Sequence, residues 1–438
     1  MKKSFAICLA LAMTASLTAC GGGNNTAPKT ETAAGSAADT AADTTADTTA
    51  AGEAADTKDF KVGAILVHDE NSGYDLAHIQ GIEAAVKELG LDPGQVVYKY
   101  NIPEDETCYD TAVDLAEQGC NIIFSDSYGH QSYLQDAAGE YPDTTFVACT
   151  GDTAAFSGLD NFKNMFPYTY ESRYVSGVVA GMKLKELIDA GTVTDAHIGY
   201  VGAYPYAEVV CGYTAFFLGI QSIVPEAYMD VIYTNSWYDP IAEGEAANAL
   251  ISKGCVIIGQ HADSTGAPST VQAVKDSGKE VYSIGYNIDM LAVAPTAALT
   301  SAQNNWSALY TPVIKAALAG QEVPVDTALG YADGGVMISA LGESCADGTG
   351  EKVDEVWAAM KDGSLKIFDT ATFTCEATDN GSYVVDADGH VTSAFGLDTD
   401  GDWVADTGEC IIDGAFIESV LRSAPYFSLT IKGINELS

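Results

Sequence analysis

The stretch GCVIIGQHADSTGAPSTVQAVKDSGKEVYSIGYNIDM, residues 254–290, decides the fold. An apolar run at residues 255–258 ends in a polar cluster, and a helical segment then leads to a second apolar run at 281–284 with its own polar end. This order predicts a βαβ unit. Because ligands of open parallel sheets bind outside the carboxyl ends of the strands, the two polar clusters predict half of a binding site.

The same alternation continues through most of the chain from residue 59. Apolar runs alternate with amphipathic segments of helical length, first at residues 61–148 and again from residue 197. Such alternation predicts an α/β fold with doubly wound parallel sheets. A chain of 438 residues is too long for one ordinary core, so two such lobes with a ligand cleft between them are expected.

Composition excludes several classes of function. The formal net charge is −41, from 61 acidic and 20 basic side chains, so the surface repels nucleic acid and anionic lipid. The sequence contains no GxSxG or HExxH motif and no CxxC pair, which argues against hydrolase, zinc and thioredoxin-like sites. Of the cysteines, only Cys375 and Cys410 form a candidate disulfide.

The N-terminus predicts export and anchoring. Two lysines precede an apolar segment, residues 5–15, that is too short to span a bilayer as a mature helix. The tetrapeptide LTAC at 17–20 resembles a bacterial lipobox, in which Cys20 is lipidated after removal of the signal peptide. An ordinary signal peptide with an incidental cysteine is the alternative. We expect residues 1–20 to be a lipoprotein signal and the low-complexity residues 21–58 to be a flexible tether.

Six motifs in order resemble the basic membrane protein family of bacterial lipoproteins, the substrate-binding components of nucleoside or purine ABC importers. Each motif is modest alone, and the order makes the set specific. The motifs are GYDLAHIQGIE (73–83), LAEQGCNIIFSDSYGH (115–130), YESRYVSGVVAGM (170–182), TNSWYDPIAEGEAANALISKG (234–254), GQHADS (259–264) and IGYNIDM (284–290).

The resemblance implies the type I periplasmic-binding-protein fold, in which two lobes joined by three crossings close on the ligand. The N-terminal lobe would comprise residues 59–165 and 303–325. The C-terminal lobe would comprise residues 166–302 and 326–438. Residues 369–412 form an acidic insertion that is longer than the family pattern, so its role is open.

The resemblance also implies a function without catalysis. A monomeric lipoprotein on the extracytoplasmic face of the cell membrane would bind a purine nucleoside or nucleobase between its lobes and deliver it to an ABC permease. Two alternatives stay open: an extracellular enzyme that acts on nucleosides, and a receptor lipoprotein that senses a sugar or another small molecule.

Polar and aromatic residues after the predicted strands are the candidate ligand-binding groups. A purine needs an aromatic face and hydrogen-bonding groups, and ribose hydroxyls suit a carboxylate. The candidates are Tyr74, Ser127, Tyr128, Trp237, His261, Asp263, Asn287 and Asp289. Structural roles are the alternatives: local packing for Tyr74, a turn for Ser127 and Tyr128, core positions for Trp237 and His261, a helix cap for Asp263, and a hinge for Asp289. Asp239, before Pro240, is predicted to cap a helix.

A second candidate site is the acidic stretch DTDGDWVADTGE, residues 398–409. Its carboxylates have the spacing of an EF-hand-like calcium loop, and they are Asp398, Asp400, Asp402, Asp406 and Glu409. Trp403 stands where that loop needs glycine and no flanking helix pair is evident, so a solvated acidic turn is the alternative. Apart from this calcium ion, no cofactor is expected.

Overall fold

The computed structural model describes residues 57–399, 401, 402 and 404–437. The predicted signal peptide, the lipidation site Cys20 and nearly all of the tether lie outside these residues. The described chain forms two α/β lobes, each built on a mostly parallel sheet, which confirms the fold class expected from the strand and helix alternation. None of its helices combines the length and the apolar character needed to cross a bilayer.

The helices lie on both faces of the two sheets. They are α1 (Gly73–Leu89), α2 (Glu106–Glu117), α3 (Gln131–Glu140), α4 (Thr169–Asp189), α5 (Ala207–Gln221), α6 (Pro240–Lys253), α7 (Gly266–Asp276), α8 (Trp306–Leu318) and α9 (Thr349–Lys361). Local sequence fixes their ends. Ser72 accepts a hydrogen bond from the Asp75 backbone at the start of α1, and Asp239 caps α6 as predicted.

The strands in chain order are β1 (Val62–Ile65), β2 (Val96–Lys99), β3 (Ile122–Ser125), β4 (Thr145–Ala148), β5 (Phe162–Met165), β6 (His197–Gly202), β7 (Tyr228–Tyr233), β8 (Ile257–His261), β9 (Tyr282–Tyr286), β10 (Ala298–Asn304), β11 (Asp326–Thr327), β12 (Val336–Ile338), β13 (Thr378–Asp379), β14 (Tyr383–Val385), β15 (Val391–Leu397), β16 (Thr407–Glu409), β17 (Ile411–Ile412), β18 (Ala415–Phe416) and β19 (Ile434–Leu437). The first sheet has the order β11-β5-β4-β3-β1-β2, and the second has the order β12-β10-β9-β8-β6-β7-β19. Within these two sheets, only the pairing of β12 with β10 is antiparallel.

The chain passes between the lobes near the expected positions, but two boundaries differ from the prediction. Strand β10 continues to Asn304 in the second sheet, where Gln303 and Asn304 pair with β12. Strand β11 pairs with β5, so Asp326 and Thr327 belong to the first sheet. Both crossings therefore occur two residues later than expected, because backbone pairing at the sheet edges holds these residues.

The C-terminal module, residues 369–431, contains the predicted acidic insertion. It folds into a four-stranded antiparallel sheet, β13-β14-β15-β16, and the hairpin β17-β18. Its aromatic side chains Phe373, Tyr383 and Phe427 are buried in the same core as the helices α4 and α5. The module is therefore packed on the second lobe, and β19 follows it as the last strand of the second sheet.

The candidate disulfide does not form. All eight cysteines of the described chain are free thiols, and Cys375 and Cys410 are both buried. The Cys410 thiol lies against the Gly408 carbonyl oxygen at 3.3 Å, while the backbone of Cys375 bridges to Ile431. Each residue thus packs in its own part of the module core, as expected for a free cysteine that acts as a small hydrophobe.

Candidate functional site

The carboxyl ends of the two sheets enclose a narrow cavity between the lobes. Every lining residue lies at or after the end of a parallel strand, as expected for open α/β sheets. The first lobe contributes Val67, Tyr74, Asp126, Ser127, Tyr128 and Thr150, and the second contributes Glu208, Trp237, His261, Asp263 and Tyr286. Aromatic rings together with a few polar groups are the lining expected for a small aromatic ligand.

Six of the eight candidate residues line this cavity, and they are Tyr74, Ser127, Tyr128, Trp237, His261 and Asp263. Asn287 stands behind them, buried, and its side-chain amide donates to Asp263 Oδ1 at 3.0 Å. The Ser127 hydroxyl already donates to Glu104 Oε1 at 2.5 Å, and the Tyr74 hydroxyl donates to the Cys149 carbonyl at 3.1 Å. Tyr74 therefore presents its ring, rather than a free hydroxyl, to the cavity.

The expectation that Asp289 faces the ligand is wrong. The chain turns at Asn287, which has a φ of 62°, and Asp289 emerges on the exposed surface. Its carboxylate accepts a hydrogen bond from the Leu291 backbone N–H at 2.9 Å and so caps the short helix Met290–Ala292.

The two lobes touch around the cavity, so the structure is a closed form. The Gly73 N–H donates to the Asp263 carbonyl of the other lobe at 2.8 Å. A side chain at Gly73 would meet that oxygen at 3.2 Å, so glycine permits the close approach. The rings of Tyr128 and Tyr206 also meet across the lobes, with centroids 5.8 Å apart.

Several buried polar atoms around the cavity have no hydrogen-bond partner within the described chain. They are Thr150 Oγ1, Trp237 Nε1, His261 Nδ1 and the Tyr286 hydroxyl. A buried polar atom left without a partner costs about 1–3 kcal/mol. A ligand with a polar ring could form hydrogen bonds with these donors and acceptors, because they lie around one enclosed space.

Two comparisons decide the family. The model for Bmp, an ABC transporter substrate-binding protein that is PnrA-like, matches residues 61–367. A purine-binding protein of Brucella abortus is 32% identical over 318 residues, which make up 72% of this chain and 85% of the relative. The chain belongs to the Bmp family. The resemblance drawn from the six motifs is thereby confirmed.

Further comparisons agree on the fold and differ on the ligand. A putative ABC transporter glucose-binding protein of Haloferax volcanii is 36% identical over 201 residues, 46% of each chain. The crystal structure of an ABC transporter solute-binding protein from Aeropyrum pernix K1 has a TM-score of 0.59 at 17% identity, over 70% of this chain and 93% of that one. As a Bmp-family substrate-binding protein, the chain works outside the cytoplasm with a small-molecule ligand and a permease.

Two buried carboxyl groups, those of Asp75 and Asp126, lie close together in the first lobe beside the cavity. Asp126 Oδ1 accepts from the Val67 N–H at 3.0 Å, and Asp75 Oδ1 accepts from the His68 N–H at 2.7 Å. Burial, followed by the nearby Asp75 carboxylate, raises the pKa of Asp126 well above its usual range. Burial acts in the same direction on Asp75, but hydrogen bonds from His68 and Ser72 outweigh it and lower that pKa. Asp126 therefore holds a proton, which it shares with the Asp75 carboxylate through a side-chain hydrogen bond.

The second lobe contributes a buried chain of polar groups. His261 Nε2 lies 3.1 Å from Glu208 Oε1, and burial followed by the charge of Arg173 lowers the pKa of His261 well below its usual value. The neutral imidazole and Glu208 share one hydrogen bond, whose donor is set by the imidazole tautomer and by the proton on Glu208. The Arg173 guanidinium carbon lies 3.6 Å from the centre of the Tyr286 ring, and its Nη1 donates to the Gln260 carbonyl at 2.6 Å. Arg173 therefore fixes the ring that forms one wall of the cavity.

Replacing Glu208 by glutamine is expected to change how stability depends on pH. Burial raises the pKa of Glu208 to about 7, and the Arg173 charge opposes the shift. The folded chain keeps a proton that the unfolded chain loses above the ordinary glutamate pKa of 4.5. The wild type therefore loses stability as the pH rises from 4.5 to about 7, by at most about 3 kcal/mol. Glu208→Gln stays neutral and still accepts from His261, so it escapes this loss.

Urea unfolding of both proteins across this pH window measures the effect. Relative to wild type, Glu208→Gln should gain stability as the pH rises. Glu245→Gln, on the exposed side of α6, is the matched control and should follow the wild type. Parallel curves for Glu208→Gln and the wild type would contradict a proton bound at Glu208.

Sequence reasoning missed four polar residues of the cavity. Asp126 and Thr150 follow strands β3 and β4, and Tyr286 ends β9, so the strand-end rule could have included them. Glu208 gave no such signal, because it lies in the first turn of α5, some residues after its strand. Burial and pairing with His261, which only the fold reveals, mark it as part of the site.

The predicted calcium site lies in a hairpin. The acidic stretch connects the antiparallel strands β15 and β16 rather than two helices, and Asp400 and Trp403 are outside the described residues. The Glu409 carboxylate accepts hydrogen bonds from the backbone N–H groups of Ala394 and Ile411 at 3.1 and 2.9 Å. Among the residues that the structure describes, no three acidic, histidine or cysteine side chains are arranged to hold a metal. Calcium binding by Asp398, Asp402, Asp406 and Glu409 with Asp400 stays a prediction.

Proposed function

We propose that the protein binds a purine nucleoside or nucleobase in the cavity between its lobes and delivers it to an ABC permease without chemical change. The observation that carries this proposal is the combination of aromatic walls with buried polar atoms that lack partners. Trp237 supplies an N–H donor, and Tyr286 and Thr150 supply hydroxyl groups. A purine presents ring-nitrogen acceptors, an exocyclic group and a flat face to match them.

The shape of the cavity supports a flat ligand. Tyr74 enters from the first lobe and Trp237 from the second, and both line the same narrow space. A base stacked on an aromatic side chain gains about 1–3 kcal/mol, largely independent of which base it is. Burial raises the pKa of Asp263 well above its usual range, so its carboxyl group, which accepts from the Asn287 amide at 3.0 Å, can both accept from and donate to a ribose hydroxyl. The purine-binding name of the Brucella abortus relative agrees with this assignment.

Titration calorimetry on the full chain tests the ligand class. The panel consists of adenosine, guanosine, inosine, adenine, ribose and glucose. We expect at least one purine to bind with micromolar or better affinity and the two sugars to give no heat. Glucose binding without a response to any purine would overturn the purine assignment and would agree instead with the name of the Haloferax volcanii relative.

The proposal includes a lipid anchor and a monomeric state. Cys20 would carry the lipid, and the Ala, Thr, Asp and Gly-rich segment after it would hold the lobes away from the membrane. Metabolic labelling with a fatty acid should mark the wild type and not Cys20→Ser. A labelled Cys20→Ser chain would contradict the anchor.

A further inference from the structure

A second space, here called the outer chamber, adjoins the cavity on the side of the C-terminal module. It shares Tyr128, Thr150 and Glu208 with the cavity, so the two spaces meet at these residues. Its outer wall is formed by Tyr383, Phe395 and Tyr426 of the C-terminal module. The segment that departs from the family pattern therefore encloses the region outside the ligand cavity.

Direct contacts hold this wall against both lobes. Arg422 Nη1 lies 3.4 Å from Asp152 Oδ2, and the two side chains are only 11% and 9% exposed. The Tyr128 hydroxyl donates to the same Asp152 oxygen at 2.9 Å. The Ser423 N–H and hydroxyl both donate to Asp326 Oδ1, at 2.8 and 2.7 Å. The C-terminal module is packed on the second lobe and also contacts residues of the first lobe. These contacts fix the wall of the outer chamber in place.

Buried polar atoms point to the chemistry that the outer chamber can hold. Asp152 Oδ1, Thr150 Oγ1 and Arg422 Nε have no hydrogen-bond partner within the described chain. A polyhydroxylated group offers acceptors for the Arg422 Nε–H and donors for Asp152 Oδ1. A phosphate can only accept and an ammonium group can only donate, so neither satisfies both atoms.

Charge and aromatic surface favour the same class of ligand. Asp152, Glu208 and Asp398 line the outer chamber, and Arg422 is the one basic residue among its described lining residues. This excess of carboxylates disfavours an anionic group. The tyrosine and phenylalanine rings of the wall offer apolar faces on which the C–H face of a sugar ring can pack.

We propose that the outer chamber binds a polyhydroxylated group, such as a glycosyl ring, carried by the ligand whose purine occupies the cavity. This inference rests on the proposed purine function and extends it to glycosylated nucleosides. The C-terminal module is then a specificity element that admits a sugar substituent and rejects a phosphate.

Four probes on the full chain test the inference by calorimetry. They are adenosine, adenosine with a glucosyl group on the 5′ oxygen, adenosine with a glucosyl group on N6, and adenosine 5′-monophosphate. We expect one glucosylated probe to bind within about tenfold of adenosine and the monophosphate to bind at least about tenfold more weakly than that probe. Rejection of both glucosylated probes by a chain that binds adenosine would overturn the inference, and so would preferred binding of the monophosphate.

A variant that fills the outer chamber separates it from the cavity. Ser382 lines the outer chamber and not the cavity. Ser382→Trp should therefore lower the affinity for the glucosylated probe by at least about tenfold and leave the affinity for adenosine unchanged. Unchanged adenosine binding also shows that the variant is folded. Ile412→Trp, at an exposed position of the same module outside the chamber, is the matched control and should bind both probes as the wild type does.

The outcomes distinguish this inference from the function on which it rests. A Ser382→Trp chain that binds the glucosylated probe as tightly as wild type would contradict the outer chamber alone. Failure of the wild type to bind adenosine, guanosine, inosine or adenine would overturn the purine function, and the inference with it.

Discussion

Removing the Trp237 side chain should weaken purine binding by about 100-fold, because Trp237→Ala loses both the stacking face and the indole N–H donor. The stacking share alone is about 1–3 kcal/mol. The fold should survive, because the side chain lies on a loop at the cavity and the Trp237 backbone carbonyl still accepts from the Asp263 N–H. Titration calorimetry with the tightest purine measures the loss.

Trp237→Phe separates the contribution of aromatic stacking from the contribution of the indole N–H donor. Phenylalanine keeps an aromatic face and lacks the N–H, so its affinity should fall between those of wild type and Trp237→Ala. Asp289→Ala is the control, since Asp289 caps a short surface helix and faces away from the cavity. Wild-type affinity in Trp237→Ala would show that the ligand lies elsewhere.

The largest expected loss of stability comes from a single methyl group at Gly177. Helices α4 and α5 cross so closely there that an added Cβ would lie 2.0 Å from the Phe216 carbonyl oxygen. The opposing Gly219 shows the same closeness, with its Cβ position 2.1 Å from the Tyr174 carbonyl. Backbone atoms cannot move aside as a flexible side chain can, so Gly177→Ala should lower the free energy of unfolding by about 3 kcal/mol or more.

Gly139→Ala is the matched substitution, and it should change the free energy of unfolding in the opposite direction. Gly139 lies inside helix α3 with nothing within 4 Å of its Cβ position. Alanine there should raise the free energy of unfolding by about 0.5–1 kcal/mol, because glycine is the poorer helix former. Urea denaturation of the three proteins checks both values. Equal stability of Gly177→Ala and the wild type would mean that α4 and α5 separate at little cost.

The fold could be predicted because its pattern is local and repeated. Residues 254–290 fold into β8, α7 and β9, and the polar residues at the end of β8 reach the cavity. The rule that ligands bind at strand ends therefore located His261 and Asp263 correctly within the fold. The same rule failed at Asp289, because the left-handed turn at Asn287 directs the following residues to the surface.

The rest of the site depends on contacts between distant segments. Glu208 gains its elevated pKa from burial beneath residues of other elements, and no feature of its own helix indicates this. Arg173 stacks on Tyr286 from more than 100 positions earlier in the chain. The C-terminal module gave only weak sequence signals, because its strands are short and antiparallel and its core is shared with the second lobe.

The position of the last strand has a consequence for folding kinetics. Strand β19 pairs in parallel with β7, so Ile434 lies beside Met229 although 205 positions (434 − 229) separate them. The second sheet therefore cannot be completed until residues 434–437 pair with β7, whereas most of the first sheet is assembled from residues 62–165. Contacts of such sequence separation slow folding because the intervening loop must be ordered first. The first lobe can thus acquire its sheet early, and the completed second lobe, with its module, is the last part of the protein to form.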